Sequence, residues 1–379
     1  MAGERVLSRR AANRALLARQ LLLDRRPLPA PGPERKARVI GVIEHLVGLQ
    51  AQAPFPPYFG LNSRLDGLRP ADLATLLTDR SVVRIALMRG TIHLVSARDC
   101  LPLRQLMQPA VERGLRGAFG KQLAGVDLAA VAAAGRRLVE AEPMTFSRLG
   151  QALAVQWPGS PPDALAQVVR AFVPLVQLPP RAVWGQAGQS VHTSAERWLS
   201  EPSQKQQGPA DLVARYLGAF GPATIRDMQA WSGLTGQKKI LEQLRPALVT
   251  FRDESGAELF DLPAAPRPAE DAPAPPRLVA DFDNLILSHA ERSRVISPAA
   301  TARISTVNGV IPGMVLIDGF VAGMWRLDRA RDAAAVTIDL FGPHKNDDER
   351  YRLTAEATRV LAFAAPDAVH HVRFVRSGS

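Results

Sequence analysis

Residues 224–244 read Thr224-Ile225-Arg226-Asp227-Met228-Gln229-Ala230-Trp231-Ser232-Gly233-Leu234-Thr235-Gly236-Gln237-Lys238-Lys239-Ile240-Leu241-Glu242-Gln243-Leu244. Thr224 to Trp231 reads as one helix, Ser232-Gly233 as a turn, and Gly236 to Leu244 as a second helix carrying Lys238 and Lys239. A further helix, Asp211 to Phe220, precedes the pair. Leu248 to Arg252 and Glu258 to Asp261 follow it as two strands turning at Ser255-Gly256. Helices closed by a hairpin are the outline of a winged helix, whose second helix enters a DNA groove.

The same outline recurs twice upstream, as an architecture and not as an exact repeat. Residues 7–25 read as a basic amphipathic helix, and Pro27, Pro29, Pro31 and Pro33 then force an extended connector. Helices at 34–50 and 71–79 precede two β segments, Val82 to Met88 and Thr91 to Val95, around Arg89-Gly90. Residues 99–140 are helical. The second unit then has helices at 145–154 and 161–173 and strands at 175–177 and 182–184. Six prolines mark 263–277 as a linker or surface loop. Beyond it the chain turns β-rich, with a hairpin signal at Asn308-Gly309, strands at 314–318, 320–325 and 335–340, a helix at 348–364 and a last strand at 371–375. The expected class is α+β. Its units are 1–100, 101–206 and 207–262, with a linker at 263–277 and a β-rich C-terminal scaffold at 278–379.

The chain has 379 residues, 46% of them hydrophobic, and a net charge of +11. The charge favours a polyanionic partner, nucleic acid first. No apolar run approaches the roughly 18–20 residues of a membrane span, and the N-terminus lacks a signal-peptide core. Cys100 is the single cysteine, which excludes an internal disulfide and fits a reducing cytosol. These features predict a cytoplasmic, membrane-free protein.

Residues 48–62 hold the chemically unusual stretch, Gly48-Leu49-Gln50-Ala51-Gln52-Ala53-Pro54-Phe55-Pro56-Pro57-Tyr58-Phe59-Gly60-Leu61-Asn62. On a continuing helix Gln50 and Gln52 diverge; in extended backbone they share a face. Pro54, Pro56 and Pro57 push their neighbours out of the helical region, so the helix is expected to end near Gln50. Two amides can then hold one water and turn acceptor oxygens toward a developing positive charge, although neither is a strong base. From spacing alone the plainer reading takes precedence: a polar helix terminus serving orphan backbone groups.

The stretch from Gly48 to Pro54, with Tyr58-Phe59-Gly60-Leu61, resembles the Gln-apolar-Gln motif of the AlkZ-like DNA glycosylases. Arg84-Ile85-Ala86-Leu87-Met88-Arg89-Gly90-Thr91-Ile92-His93-Leu94-Val95 resembles that family's second signature. Asp283 to His289 and Asp318 to Arg326 resemble its C-terminal blocks. The resemblance runs from about residue 10 to 375. It implies three tandem winged-helix units forming a C-shaped, basic channel for duplex DNA. It also implies removal of bulky N7-alkylated purines, unhooking of interstrand crosslinks, and protection against a DNA-alkylating antibiotic. A sister branch, the YcaQ-like enzymes, has Gln-apolar-Asp; Gln52 places this sequence with the AlkZ-like branch.

On that resemblance Gln50 positions a water and Gln52 supports the water or the sugar cation. No base protonation is required, because an N7-alkylguanine is already cationic. The expected enzyme is monofunctional, monomeric and free of metal and cofactor. Arg64, Arg84, Arg89, Thr91, His93, Lys238, Lys239 and Arg303 are the candidate DNA contacts. Asp281, Asp283 and His289 lack the companions of a metal site and read as structural. Two other readings stand beside this one: a non-enzymatic winged-helix DNA-binding protein such as a transcriptional regulator, and an RNA- or protein-binding scaffold.

Overall fold

The computed structural model describes residues 6–199, 207–304, 311–342 and 346–375. Helices and four sheets alternate along it, giving the mixed α+β class expected. The hairpin signal at Asn308-Gly309 lies outside the described residues.

The 207–262 unit matches its sequence pattern closely. Thr224 caps the Ile225–Ser232 helix. Its Oγ1 accepts from the Asp227 amide at 3.1 Å, and the Asp227 carboxylate accepts from the Thr224 amide at 2.9 Å. Gly233 ends that helix at φ 77°, a backbone state costly for any residue with a Cβ. The Gln237–Leu244 helix and the antiparallel pair Val249–Asp253 and Glu258–Asp261 follow. Tyr216, Phe220 and Trp231 fill the core of this unit, with ring centroids 5.0–5.6 Å apart.

The sequence boundaries do not divide the sheets. Val6–Leu7 pairs in parallel with Val249–Asp253, so the first residues described complete the sheet of the 207–262 unit. One five-stranded sheet crosses the boundary at 100/101. Its strand order is Leu49–Gln50, Ile92–Ser96, Val82–Ala86, Leu175–Gln177 and His192–Ser194. The fifth strand replaces the one expected at 182–184. There Ala182 takes φ 67° and its carbonyl accepts from the Tyr58 hydroxyl at 2.8 Å, while the Tyr58 hydroxyl oxygen accepts from the Trp184 amide at 3.1 Å. Residues 182–184 are thus fastened to the aromatic cluster of Phe55, Tyr58 and Trp184 rather than to a ladder.

The helix expected over 7–25 is shorter, Arg9–Arg19, and its arginines are not all at the surface. Arg14 and Arg19 are buried and pair with Asp318 and Asp261. The proline-rich 263–277 segment is strapped to this helix: its carbonyls at Pro266, Glu270 and Ala272 accept from Arg19, Arg10 and Arg14. It is a fastened surface loop, not a free linker.

The C-terminal sheet runs Arg277–Val279, Gly313–Ile317, Phe320–Arg329, Ala333–Leu340 and Val369–Val375, with the last two strands parallel. The Asp347–Ala364 helix packs on it through Leu353, Ala357, Val360 and Leu361. Phe363 of that helix meets Phe59 and Trp184, which ties the scaffold to the segment after the glutamine pair.

Candidate functional site

The helix before the glutamine pair is Pro33–His45, and it stops before the prolines can act. The amides of Val47 and Gly48 bond back to the carbonyls of Glu44 and Ile43 at 3.1 and 2.9 Å, the double closure of a Schellman motif. Val47 holds φ 55°, an unfavourable state for a β-branched residue, while its side chain lies fully in the core. Gly48 follows at φ 90°, where an added Cβ would stand 2.7 Å from Val95 Cγ1 and 3.0 Å from the Leu94 carbonyl. The helix ends at His45, short of the expected end near Gln50, and Val47-Gly48 makes the break; Pro56 and Pro57 instead open the next helix, Pro56–Asn62.

Leu49–Gln50 becomes an edge strand, with Gln50 opposite His93 and His93 opposite Ile85. Gln50 is 8% exposed, and its Oε1 accepts from Arg89 Nη2 at 2.8 Å. Ala51 is buried; its amide donates to the Ile92 carbonyl at 2.7 Å, and its carbonyl accepts from Arg84 Nη2 at 2.7 Å. Gln52 is exposed, and its Oε1 accepts from the Ile92 amide at 3.2 Å, so its side chain continues the ladder that the backbone leaves. Both carbonyls therefore point to the 87–92 turn. Each oxygen has one lone pair engaged by the protein and keeps a second as an acceptor. The plain helix-terminus reading also fails, because Gln50 and Gln52 serve Arg89 and Ile92, neither of which belongs to that helix.

Arg89 sits at φ 56° in this turn and is the hub of the site. Besides Gln50, its Nη1 donates to the carbonyl of Trp231, far along the chain. Burial pushes its guanidinium down to about 10, which leaves it charged at neutral pH. The Thr91 hydroxyl donates to the Met88 carbonyl at 3.0 Å and steadies the turn.

Three other expected DNA contacts lie in the interior. Arg64 is 0% exposed; it holds both Asp283 oxygens at 2.8 Å, the Gly60 carbonyl at 2.8 Å and Gln20 Oε1 at 3.0 Å. Arg84 is buried under Ala51. His93 is 1% exposed and bonds through Nδ1 to the Thr91 carbonyl at 3.0 Å, so Nδ1 carries the proton. Burial, then the nearby Arg89 charge, pushes His93 down to about 3, which keeps it neutral. All three are buried and bonded within the protein. Lys238 and Lys239 are exposed on the Gln237–Leu244 helix, and Arg303 is exposed at the end of the Pro298–Arg303 helix, where it bonds the Phe341 carbonyl. Asp283 pairs with Arg64, as its structural reading required. Among the described residues no cluster of histidine, cysteine and acidic side chains could hold a metal ion.

Sequence reasoning missed Arg113, which donates to the Gly233 carbonyl at 2.9 Å and joins the 97–119 helix to the turn after Trp231. It missed Arg170 as well, which donates to the Gly90 carbonyl at 2.7 Å. Both partners are far away in sequence, and no periodicity marks them.

A family model for AlkZ-like DNA glycosylases matches residues 43–363, a span that contains both glutamines, Arg89 and four of the five strands of the C-terminal sheet. The chain belongs to the AlkZ-like DNA glycosylase family. Over 143 residues, 34% of this chain, it is 29% identical to an interstrand DNA cross-link repair glycosylase of Streptomyces sahachiroi. That match spans 37% of the curated relative's length. The fold is similar to that of the S. sahachiroi DNA glycosylase AlkZ, with a TM-score of 0.75 and 18% identity over 98% of this chain and 100% of that one.

Proposed function

We propose that this chain is a monofunctional DNA glycosylase that hydrolyses the N-glycosidic bond of bulky, cationic N7-alkylpurines and unhooks interstrand crosslinks. The observation that carries the reading is the fixed turn of Gln50, Ala51 and Gln52, held by Arg84, Arg89 and Ile92 inside a family-matched region. In the proposed reaction the C1′–N9 bond breaks, and its electron pair neutralises the purine cation. A water oxygen bonds to C1′ and releases a proton to solvent, leaving an abasic site. The glutamine pair places the water and supports the sugar cation. Among the described residues the charged side chains that bond the turn are arginines, not a Schiff-base lysine, which favours hydrolysis over lyase chemistry.

Three winged-helix units surround a C-shaped duplex channel in this reading, with Lys238, Lys239 and Arg303 as the exposed candidates for phosphate contact. The protein acts as a monomer in the cytoplasm and serves self-resistance to a DNA-alkylating antibiotic. Among the described residues no helix is long and apolar enough to cross a membrane.

The test is release of N7-methylguanine from duplex DNA, followed by alkali cleavage, and then unhooking of a crosslinked duplex. Wild type should generate abasic sites, and folded Gln50→Ala and Gln52→Ala proteins should lose most of that rate. Sequence-selective binding without base release would favour a winged-helix regulator instead.

A further inference from the structure

A guanidinium has five N–H donors and no acceptor, so the amide atom that Arg89 touches on Gln50 must be the carbonyl oxygen. Its 2.8 Å bond therefore fixes which way the amide lies. The Ile92 amide does the same for Gln52. Among the described residues neither Nε2 has a hydrogen-bond partner. Arg89 is itself clamped. Its Nη1 holds the Trp231 carbonyl, and its backbone lies so close to Gly233 that a Cβ there would come within 3.3 Å of Arg89 Cα. Gln50 on its edge strand is thereby tied to the helix–turn–helix at 225–244.

We infer that Arg89 is a positioning residue and not a phosphate ligand: it locks the Gln50 carbonyl so that Gln50 offers its Nε2 donor to an acceptor on the substrate. The inference rests on the glycosylase reading. A donor is useful there because the N9 electron pair flows into the cationic ring as the bond breaks. The purine N3 and O6 then become better acceptors in the transition state than in the bound substrate. Each carbonyl oxygen keeps its second lone pair for the water and the sugar cation, so the Nε2 donor adds to the proposed role of the pair and does not replace it.

Single-turnover excision of N7-methylguanine and DNA affinity over a salt series would be measured for wild type, Arg89→Ala, Arg89→Lys and Gln50→Glu. Arg89→Ala should lower the excision rate at saturating DNA about a hundredfold, in the range of a lost transition-state donor. Its affinity and salt slope should stay at wild-type values, and Arg89→Lys should restore part of the rate. Gln50→Glu keeps an oxygen for Arg89 but has no Nε2 donor, so it should lose rate to a similar degree and stay folded.

The inference is overturned if Arg89→Ala weakens binding with a shallower salt slope while excision at saturation is intact. It is equally overturned if Gln50→Glu excises at the wild-type rate. Should Arg89→Ala fail to fold, Arg89→Lys and Gln50→Glu decide the matter. A wild-type protein that excises nothing would instead overturn the glycosylase reading itself.

Discussion

Arg64→Ala separates a structural arginine from a DNA-binding one. Arg64 and Asp283 are 0% and 1% exposed at their side chains and face each other through two 2.8 Å bonds, and the guanidinium also donates to the Gly60 carbonyl, Ser63 Oγ and Gln20 Oε1. Truncation leaves the Asp283 carboxylate buried with its cation gone, and the Leu285 amide at 2.9 Å is a small remaining compensation. Breaking one side of such a pair costs about 3–5 kcal/mol. In urea, with a slope of about 3 kcal/mol/M for a chain of this size, the unfolding midpoint should fall by about 1 M or more. Replacing both partners, as Arg64→Met with Asp283→Leu, removes the stranded charge and should recover most of the loss. Urea unfolding followed by tryptophan fluorescence measures all three proteins. A wild-type midpoint for Arg64→Ala, together with weaker DNA binding and a salt slope reduced by about one, would refute the structural assignment and return Arg64 to the DNA interface.

Lys238→Ala with Lys239→Ala should leave the unfolding midpoint in place, weaken duplex binding at low salt and lower the salt slope by about two; an unchanged slope in a salt titration would remove this helix from the interface. His93 should make folding pH-dependent with a definite sign. Its folded value is pushed down to about 3, below the ordinary value of 6.5, so the unfolded chain binds the proton first and stability falls as the pH drops from about 6.5 toward 3. His93→Gln should flatten that decline by up to about 1.4 kcal/mol per pH unit, read as urea midpoints at pH 7 and pH 5; an unchanged decline would mean that His93 is not held neutral. Gly48→Ala should be destabilising and should reduce excision by displacing the glutamine pair, because its Cβ would meet Val95 and Leu94 at φ 90°; a fully active variant would show that the Schellman closure does not set the site.

What the sequence disclosed and what it withheld divide along one physical line, the reach of the interactions involved. The 225–244 helices were legible because their determinants are local: a cap and its N3 partner three residues apart, and a glycine where the helix must turn left-handed. The break before Gln50 was legible for the same reason, although the prolines drew attention from Val47 and Gly48. The arginines were not legible, because a sequence window reports a charge and not the carboxylate that meets it. Arg14, Arg19 and Arg64 find theirs more than two hundred residues away, at Asp318, Asp261 and Asp283. Each of these cations is balanced by a carboxylate inside the fold, so the surplus of +11 that points to DNA is carried by other residues. Arg89 shows the consequence for the site. As a basic residue in a turn it read as a phosphate contact, but its partners are an amide oxygen and a carbonyl oxygen. A cation whose bonds end on neutral acceptors fixes orientation in a way that a surface charge does not, and orientation decides whether Gln50 meets its substrate as donor or as acceptor.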